Sequence, residues 1–170
     1  RGAWGLQFNE AWGPNTKQTF SELESWSLGS DKGIKYYSGT ATYFNEFEIT
    51  DATITPSKKN ELRQYCLDLG KVEVMAKVIL NGEDCGITWK PPYRVDISKA
   101  LKPGTNTLEI EVVNTWVNRM IGDEQLPLDA EWKDRETLVE WPQWFEEGKN
   151  SPTGRVTFTT NRHYEKDSPL

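Results

Sequence analysis

Polar and apolar positions alternate most clearly between Val72 and Asn118. Val72, Val74, Ala76, Val78 and Leu80 share one face, and Glu73, Met75, Lys77 and Ile79 share the other. A period of two marks a half-buried antiparallel strand. Asn81-Gly82 follows at once. A tight primed turn needs positive φ at both central positions, which Asn and Gly tolerate best, so a hairpin is predicted there. Its return strand is Cys85–Trp89, broken by Pro91-Pro92, since neither proline can donate to a ladder. A short strand over Tyr93–Ile97 points Val95 and Ile97 inward. Ser98–Leu101 turns, and Lys102-Pro103-Gly104-Thr105 is a reverse turn with Pro and Gly where such turns favour them. In the next strand Leu108, Ile110 and Val112 alternate with Glu109, Glu111 and Val113.

Outside this stretch the pattern is uneven. At most one edge strand is expected in residues 1–33, near Gly5–Asn9, then loop or one helical turn around Phe20–Trp26. Ile34–Thr50 sets Thr40, Thr42 and Phe44 opposite Ala41 and Tyr43 in a run of β-branched and aromatic residues, which predicts a long strand. Thr53–Lys59 reads as loop, and Glu61–Leu69 as a weaker strand stopped by Gly70. After Asn114 the periodicity dissolves. Residues 115–154 hold Trp116, Trp132, Trp141 and Trp144 among acids and prolines. Glu136–Glu147 has room for a helical turn or two, with Pro142 preventing one continuous helix. A stretch this long without periodicity, inside a strand-rich chain, signals a functional or partner-facing loop. Val156–Thr160 is expected to be a last strand.

Short strands, hairpin turns and scarce helix predict an all-β fold, a β-sandwich or jelly roll with long irregular loops. With no internal repeat or low-complexity linker, residues 1–170 read as a single β-sandwich domain. A chain of 170 residues buries roughly 70% of its unfolded surface, so neither disulfide nor metal is required for a core. Two thiols, Cys66 and Cys85, form no disulfide framework, and the sequence leaves open whether they pair or stay reduced. The opening RGAWGLQF, with no initiator Met and no apolar leader, reads as a piece of a longer or processed polypeptide.

Composition adds limits. The net charge is −6, from 20 Lys+Arg against 26 Asp+Glu, which argues against a nucleic-acid or anionic-membrane partner. No apolar run reaches the length of a membrane span. Eight Trp, six Tyr and six Phe serve first as strand-forming core, with a minority left for a ligand surface.

At LNGEDCG and PYRVDISKALKPGTNTLEIEVVN the chain resembles the galactose-binding-like jelly-roll domains of glycoside hydrolases, above all the sugar-binding domain of family 2 enzymes. The residues that carry the likeness are Asn81-Gly82, Gly86, Tyr93, Asp96-Ile97-Ser98, Leu101, Gly104, Asn106, Leu108, Ile110, Val112 and Asn114. With Gly39-Thr40-Ala41, Asn114–Pro127 and Gly154–Phe158, the chain is similar to the C-terminal domain of α-L-rhamnosidase-type enzymes of family 106. The resemblance implies an accessory module of a larger bacterial enzyme, with the catalytic domain of the same polypeptide as a partner. It also implies a periplasmic, secreted or cell-surface location. No cofactor is required. Jelly rolls of this class often hold a structural calcium, for which Asn45, Glu46, Asp51, Asn114 and Asp123 offer oxygens, although no DxDxDG-like loop exists.

Catalytic chemistry is not legible. A glycosidase needs two carboxylates set across the scissile bond, and no spacing singles out a pair. His163 is the only histidine, and neither cysteine has a partner signature. A sugar site instead wants an aromatic ring for the C–H faces and Asp, Asn or Arg to grip hydroxyls. Two strand exits offer that mix: Trp89, Tyr93, Arg94 and Asp96, and Trp116, Asn118, Arg119 and Asp123. The competing reading makes them structural, with Arg119 and Asp123 paired internally and the tryptophans facing a catalytic domain. A carbohydrate-binding accessory module and a purely structural docking module therefore both stand, well ahead of a stand-alone enzyme.

Overall fold

The computed structural model describes residues 2–9, 13–51, 64–134, 137–158, 164–165 and 168–169. The chain divides into two compact units, one built from 1–24 and 39–114, the other from 25–38 and 115–170.

The first unit holds β1 (Trp4–Phe8), β2 (Gln18–Phe20), β3 (Thr40–Ile49), β4 (Cys66–Asp68), β5 (Met75–Leu80), β6 (Glu83–Thr88), β7 (Arg94–Asp96) and β8 (Gly104–Val113). The main sheet runs β2-β1-β3-β8-β5-β6, with β4 and β7 forming a small second sheet, and every pairing is antiparallel. Alternation sets which face is buried. Ala76, Val78 and Leu80 lie opposite Val112, Ile110 and Leu108, and join Val95 and Ile97 from around β7 in one core. Leu67 packs against that core from β4. Burying one such aliphatic side chain stabilises the fold by about 1.5–3 kcal/mol. Two sheets closed over one apolar layer make a β-sandwich.

The expected turns are present. Asn81 and Gly82 have φ of 54° and 82°, the left-handed pair a primed hairpin requires. Gly86, at φ 113°, sits just past a register shift between Val78 and Ile79, where a bulge favours glycine. Gly39 and Asn114, far apart in sequence, close the other end of the β3–β8 ladder. The Gly39 amide donates to Asn114 Oδ1 at 2.8 Å, and the Asn114 amide donates to the Gly39 carbonyl at 3.2 Å.

Three expectations need revision. The strand over Ile34–Thr50 starts only at Thr40, because Lys32–Lys35 is a short helix. Asp31 caps it by accepting from the amides of Gly33 at 2.7 Å and Ile34 at 3.2 Å, and a capping carboxylate outweighs strand propensity here. A second strand, β2, ends at Phe20 where at most one was expected, residues 21–25 are the expected loop, and the helical turn starts at Trp26. Val156–Phe158 is not strand. The amides of Val156 and Thr157 donate to Asp123 Oδ2 at 3.0 and 2.7 Å, so they are spent on a carboxylate instead of a ladder. The loop expected over Thr53–Lys59, residues 61–63 of the expected strand, and residues 159–160 lie outside the described residues.

The second unit contains the helix Val117–Asp123, β9 (Trp132–Lys133) paired with β10 (Thr137–Leu138), and the helical turn Gln143–Glu146. Pro142 is the N-cap of that turn, as its missing N–H allows. Gly122 is required by close approach, since a Cβ there would lie 2.5 Å from Tyr36 Cβ. No helix among the described residues is long and apolar enough to cross a membrane.

Candidate functional site

The first exit follows β6. Trp89 is 66% exposed, and the Lys90 ammonium lies 5.5 Å from its ring centroid. The Pro91-Pro92 peptide is cis. Tyr93 is half-buried against the core, and its carbonyl accepts from the Leu69 amide at 2.9 Å. Strand alternation then turns Val95 inward and leaves Arg94 and Asp96 exposed on the opposite face.

Both charges have partners. Arg94 Nε lies 2.8 Å from Asp68 Oδ2. The Gly70 amide and then the Arg94 guanidinium hold the Asp68 carboxyl below its usual value, and Asp68 holds Arg94 above its own. Asp96 accepts from the Ser98 hydroxyl at 2.6 Å, the Ser98 amide at 2.9 Å and Gln64 Nε2 at 2.9 Å. These bonds, Ser98 first, hold its carboxyl low as well. Both groups are in water, so the pairs are weak, screened by salt and easily exchanged for a ligand hydroxyl.

The second exit is built differently. Trp116 is 52% exposed and precedes the helix Val117–Asp123, with Asn118 half-buried on its first turn. One turn apart, Arg119 and Asp123 face each other: Nε and Nη2 lie 2.9 and 2.8 Å from Asp123 Oδ1. The other oxygen, Oδ2, takes the Val156 and Thr157 amides and the Thr157 hydroxyl at 2.7 Å. Asp123 is 0% exposed, so its carboxylate holds the chain together. Next to it Glu124 and Arg155 are buried, with Arg155 Nη1 3.5 Å from Glu124 Oε1. Arg155 also donates to the carbonyls of Pro127 at 2.8 Å and Leu126 at 2.9 Å. Of the two exits, only the first leaves its ring and both its charged side chains exposed.

Cys66 is exposed and Cys85 half-buried, and both are free thiols; burial pushes the Cys85 thiol up. Among the described residues no group of three His, Cys, Asp or Glu is placed to hold a metal ion. The residues named for calcium sit in several settings. Asn45 and Glu46 are successive strand residues pointing to opposite faces, Asn114 Oδ1 accepts from Gly39, and both Asp123 oxygens are occupied. His163 lies outside the described residues.

One constellation went unseen in the sequence. Trp141 stacks on Phe145 with centroids 4.8 Å apart, and Trp144 stacks on Phe158 at 5.6 Å. Edge contacts at 5.1 to 6.0 Å join the two pairs. The Trp144 indole N–H donates to the Asp129 carbonyl at 3.0 Å. The spacing of Trp141, Trp144 and Phe145 is helical, but Pro142 conceals it, and Phe158 joins only through the fold.

Comparison with known proteins places these features. Residues 31–150 match the family model described as glycosyl hydrolase 2 galactose-binding domain-like. A candidate beta-glucuronidase of Formosa agariphila is 41% identical over 99% of this chain, which spans 14% of that protein. The rhamnosidase structure from Novosphingobium sp. PP1Y superposes with a TM-score of 0.69 at 36% identity, over 99% of this chain and 13% of that one. A Ruminococcus gnavus beta-glucuronidase structure, at TM-score 0.55 and 18% identity over 83% of this chain and 25% of its own, shares the fold.

Proposed function

The chain belongs to the glycosyl hydrolase 2 galactose-binding domain-like family, and from that premise we propose that it is a non-catalytic, carbohydrate-binding accessory module of a larger bacterial glycoside hydrolase. The rest of the polypeptide carries the hydrolysis. The relatives named for glucuronidase and rhamnosidase activity suggest plant or host glycans as the material engaged. A periplasmic, secreted or cell-surface location fits that role. The observation that carries the reading is Trp89. A tryptophan 66% exposed at the end of an ordered strand is a stacking platform whose position needs no ordering on binding. Tyr93 leads into the short strand that carries Arg94 and Asp96, and the exposed partners of those two charges are exchangeable for sugar hydroxyls.

In this reading Trp116 and Asn118 of the second unit offer a separate, lesser contact on the helix that Arg119 and Asp123 hold in place. Tryptophan fluorescence titrated with rhamnose-, galactose- and uronic-acid-containing glycans tests it. A saturable shift should appear with wild type and disappear with Trp89→Ala. No shift across that panel would remove carbohydrate binding from the proposal. A second reading, a structural module that docks on the catalytic part without holding sugar, is favoured by the internal use of every oxygen of Asp123.

A further inference from the structure

The aromatic cluster of the second unit is only half covered. Trp141 is 54% and Phe145 45% exposed, and Val139, two residues upstream, is 53% exposed. Such a cluster could serve a sugar or a protein, and its geometry separates the two. Phe145 covers one face of Trp141, and the Phe158 ring meets it at 87°. The nearby amide and acid are engaged with each other: Gln143 Nε2 donates to Glu147 Oε1 at 2.7 Å, and Lys149 Nζ lies 2.6 Å from Glu147 Oε2. Stacked rings with committed polar neighbours suit a dry contact with interdigitating side chains better than the hydroxyl-rich rim of a sugar. The flanks are acidic, since Glu140 and Glu146 are both exposed.

We infer that the Trp141–Phe145 surface is a docking face for another segment of the same long polypeptide, one apolar at its centre and carrying Lys or Arg at its rim. The inference rests on the accessory-module reading. Its occupant follows from two observations. This chain fills 14% of its Formosa relative, so a polypeptide of that kind offers a large covalently tethered surface at high effective concentration. The acidic flanks set the sign of the complementary rim. Asp123 acts as a positioning residue for this face. By holding the amides of Val156 and Thr157 it sets the chain that carries Phe158 into the cluster.

Hydroxyl-radical footprinting of the full-length polypeptide tests the proposal, each residue normalised to its own rate in urea. Trp141 should be protected at least tenfold, and any smaller protection overturns the docking face. Carbodiimide treatment should join Glu140 or Glu146 to lysines outside residues 1–170, and cross-links confined to this chain overturn the basic rim. Charge reversal at the two exposed acids, Glu140→Lys with Glu146→Lys, should raise Trp141 oxidation at least fivefold at low salt; an unchanged rate counts against the partner. Protection that appears only on adding glycan also overturns docking, yet leaves the accessory module standing. A mature polypeptide no longer than this chain would instead remove the accessory-module reading itself.

Discussion

Asn81 Nδ2 donates to Asn106 Oδ1 at 2.8 Å, joining the β5–β6 hairpin turn to the start of β8. Both N–H donors of each amide are engaged. Asn81 Nδ2 also donates to the Ala100 carbonyl at 2.8 Å, and its Oδ1 accepts from the Thr107 amide at 3.0 Å. Asn106, 0% exposed, donates to the carbonyls of Lys102 and Gly104 at 2.8 and 3.0 Å and accepts from the Lys102 amide at 3.1 Å. Both asparagines belong to the motif on which the family resemblance rests, and their role is to satisfy backbone groups of the turns around them.

Removing that amide should therefore be expensive. Asn106→Ala leaves the Lys102 amide and an Asn81 N–H without their acceptor, at about 1–3 kcal/mol for each buried group left unsatisfied. A lower urea midpoint with unchanged slope is the expected result. An unchanged midpoint would mean that water replaces the side chain without loss.

Asp123→Asn should destabilise the second unit by about 3–5 kcal/mol, because it strands the Arg119 guanidinium in a buried site. Thr157→Ala, which removes one of several donors, should cost about 1 kcal/mol. The ratio of the two losses in chemical denaturation checks whether the carboxylate, and not the hydroxyl, organises the network.

Gly122→Ala should destabilise by about 1–3 kcal/mol, since the added methyl overpacks against Tyr36. Tyr36→Gly removes the opposing Cβ as well as the ring, so the double variant should recover part of the loss beyond the sum of the singles. Thermal unfolding of the four proteins measures the coupling.

Acid should weaken the first unit through Asp68 and Asp96. Both carboxyls titrate below the usual aspartate value near 3.8 when folded. A depressed folded pKa means that the unfolded chain binds protons first as pH falls. The stability they contribute is thus complete above the unfolded value and disappears below about pH 4. The urea midpoint should fall less steeply below that pH in Asp68→Asn with Asp96→Asn than in wild type, and the difference should shrink in high salt.

Trp89→Ala should leave the unfolding midpoint within about 0.5 kcal/mol of wild type, as expected for an exposed position. A large loss of stability would show the ring to be part of the core and would weaken its assignment as a platform.

The exposed positions of the first exit were legible because the signals that set them are local, whereas the partners of Arg94 and Asp96 come from 26 and 32 residues away. Asn-Gly, Pro-Pro and the alternation around Val95 place Trp89, Arg94 and Asp96 relative to the strands without reference to distant residues. The second exit was only half legible. Arg119 and Asp123, four residues apart, read equally well as a sugar grip or as an internal pair. The oxygen that decides between them meets amides at Val156 and Thr157, more than thirty residues onward.

By itself the sequence determined the β-sandwich, its inward faces, its hairpin turns and its family, since strand alternation and turn chemistry are short-range and each acts within a few residues. Only the tertiary structure decided that Val156–Phe158 leaves the ladder to serve a carboxylate, that Phe158 completes an aromatic cluster across Pro142, and that the chain divides after Glu24, Ser38 and Asn114. Those outcomes depend on which distant groups satisfy one another after burial, a competition among partners that no local period records.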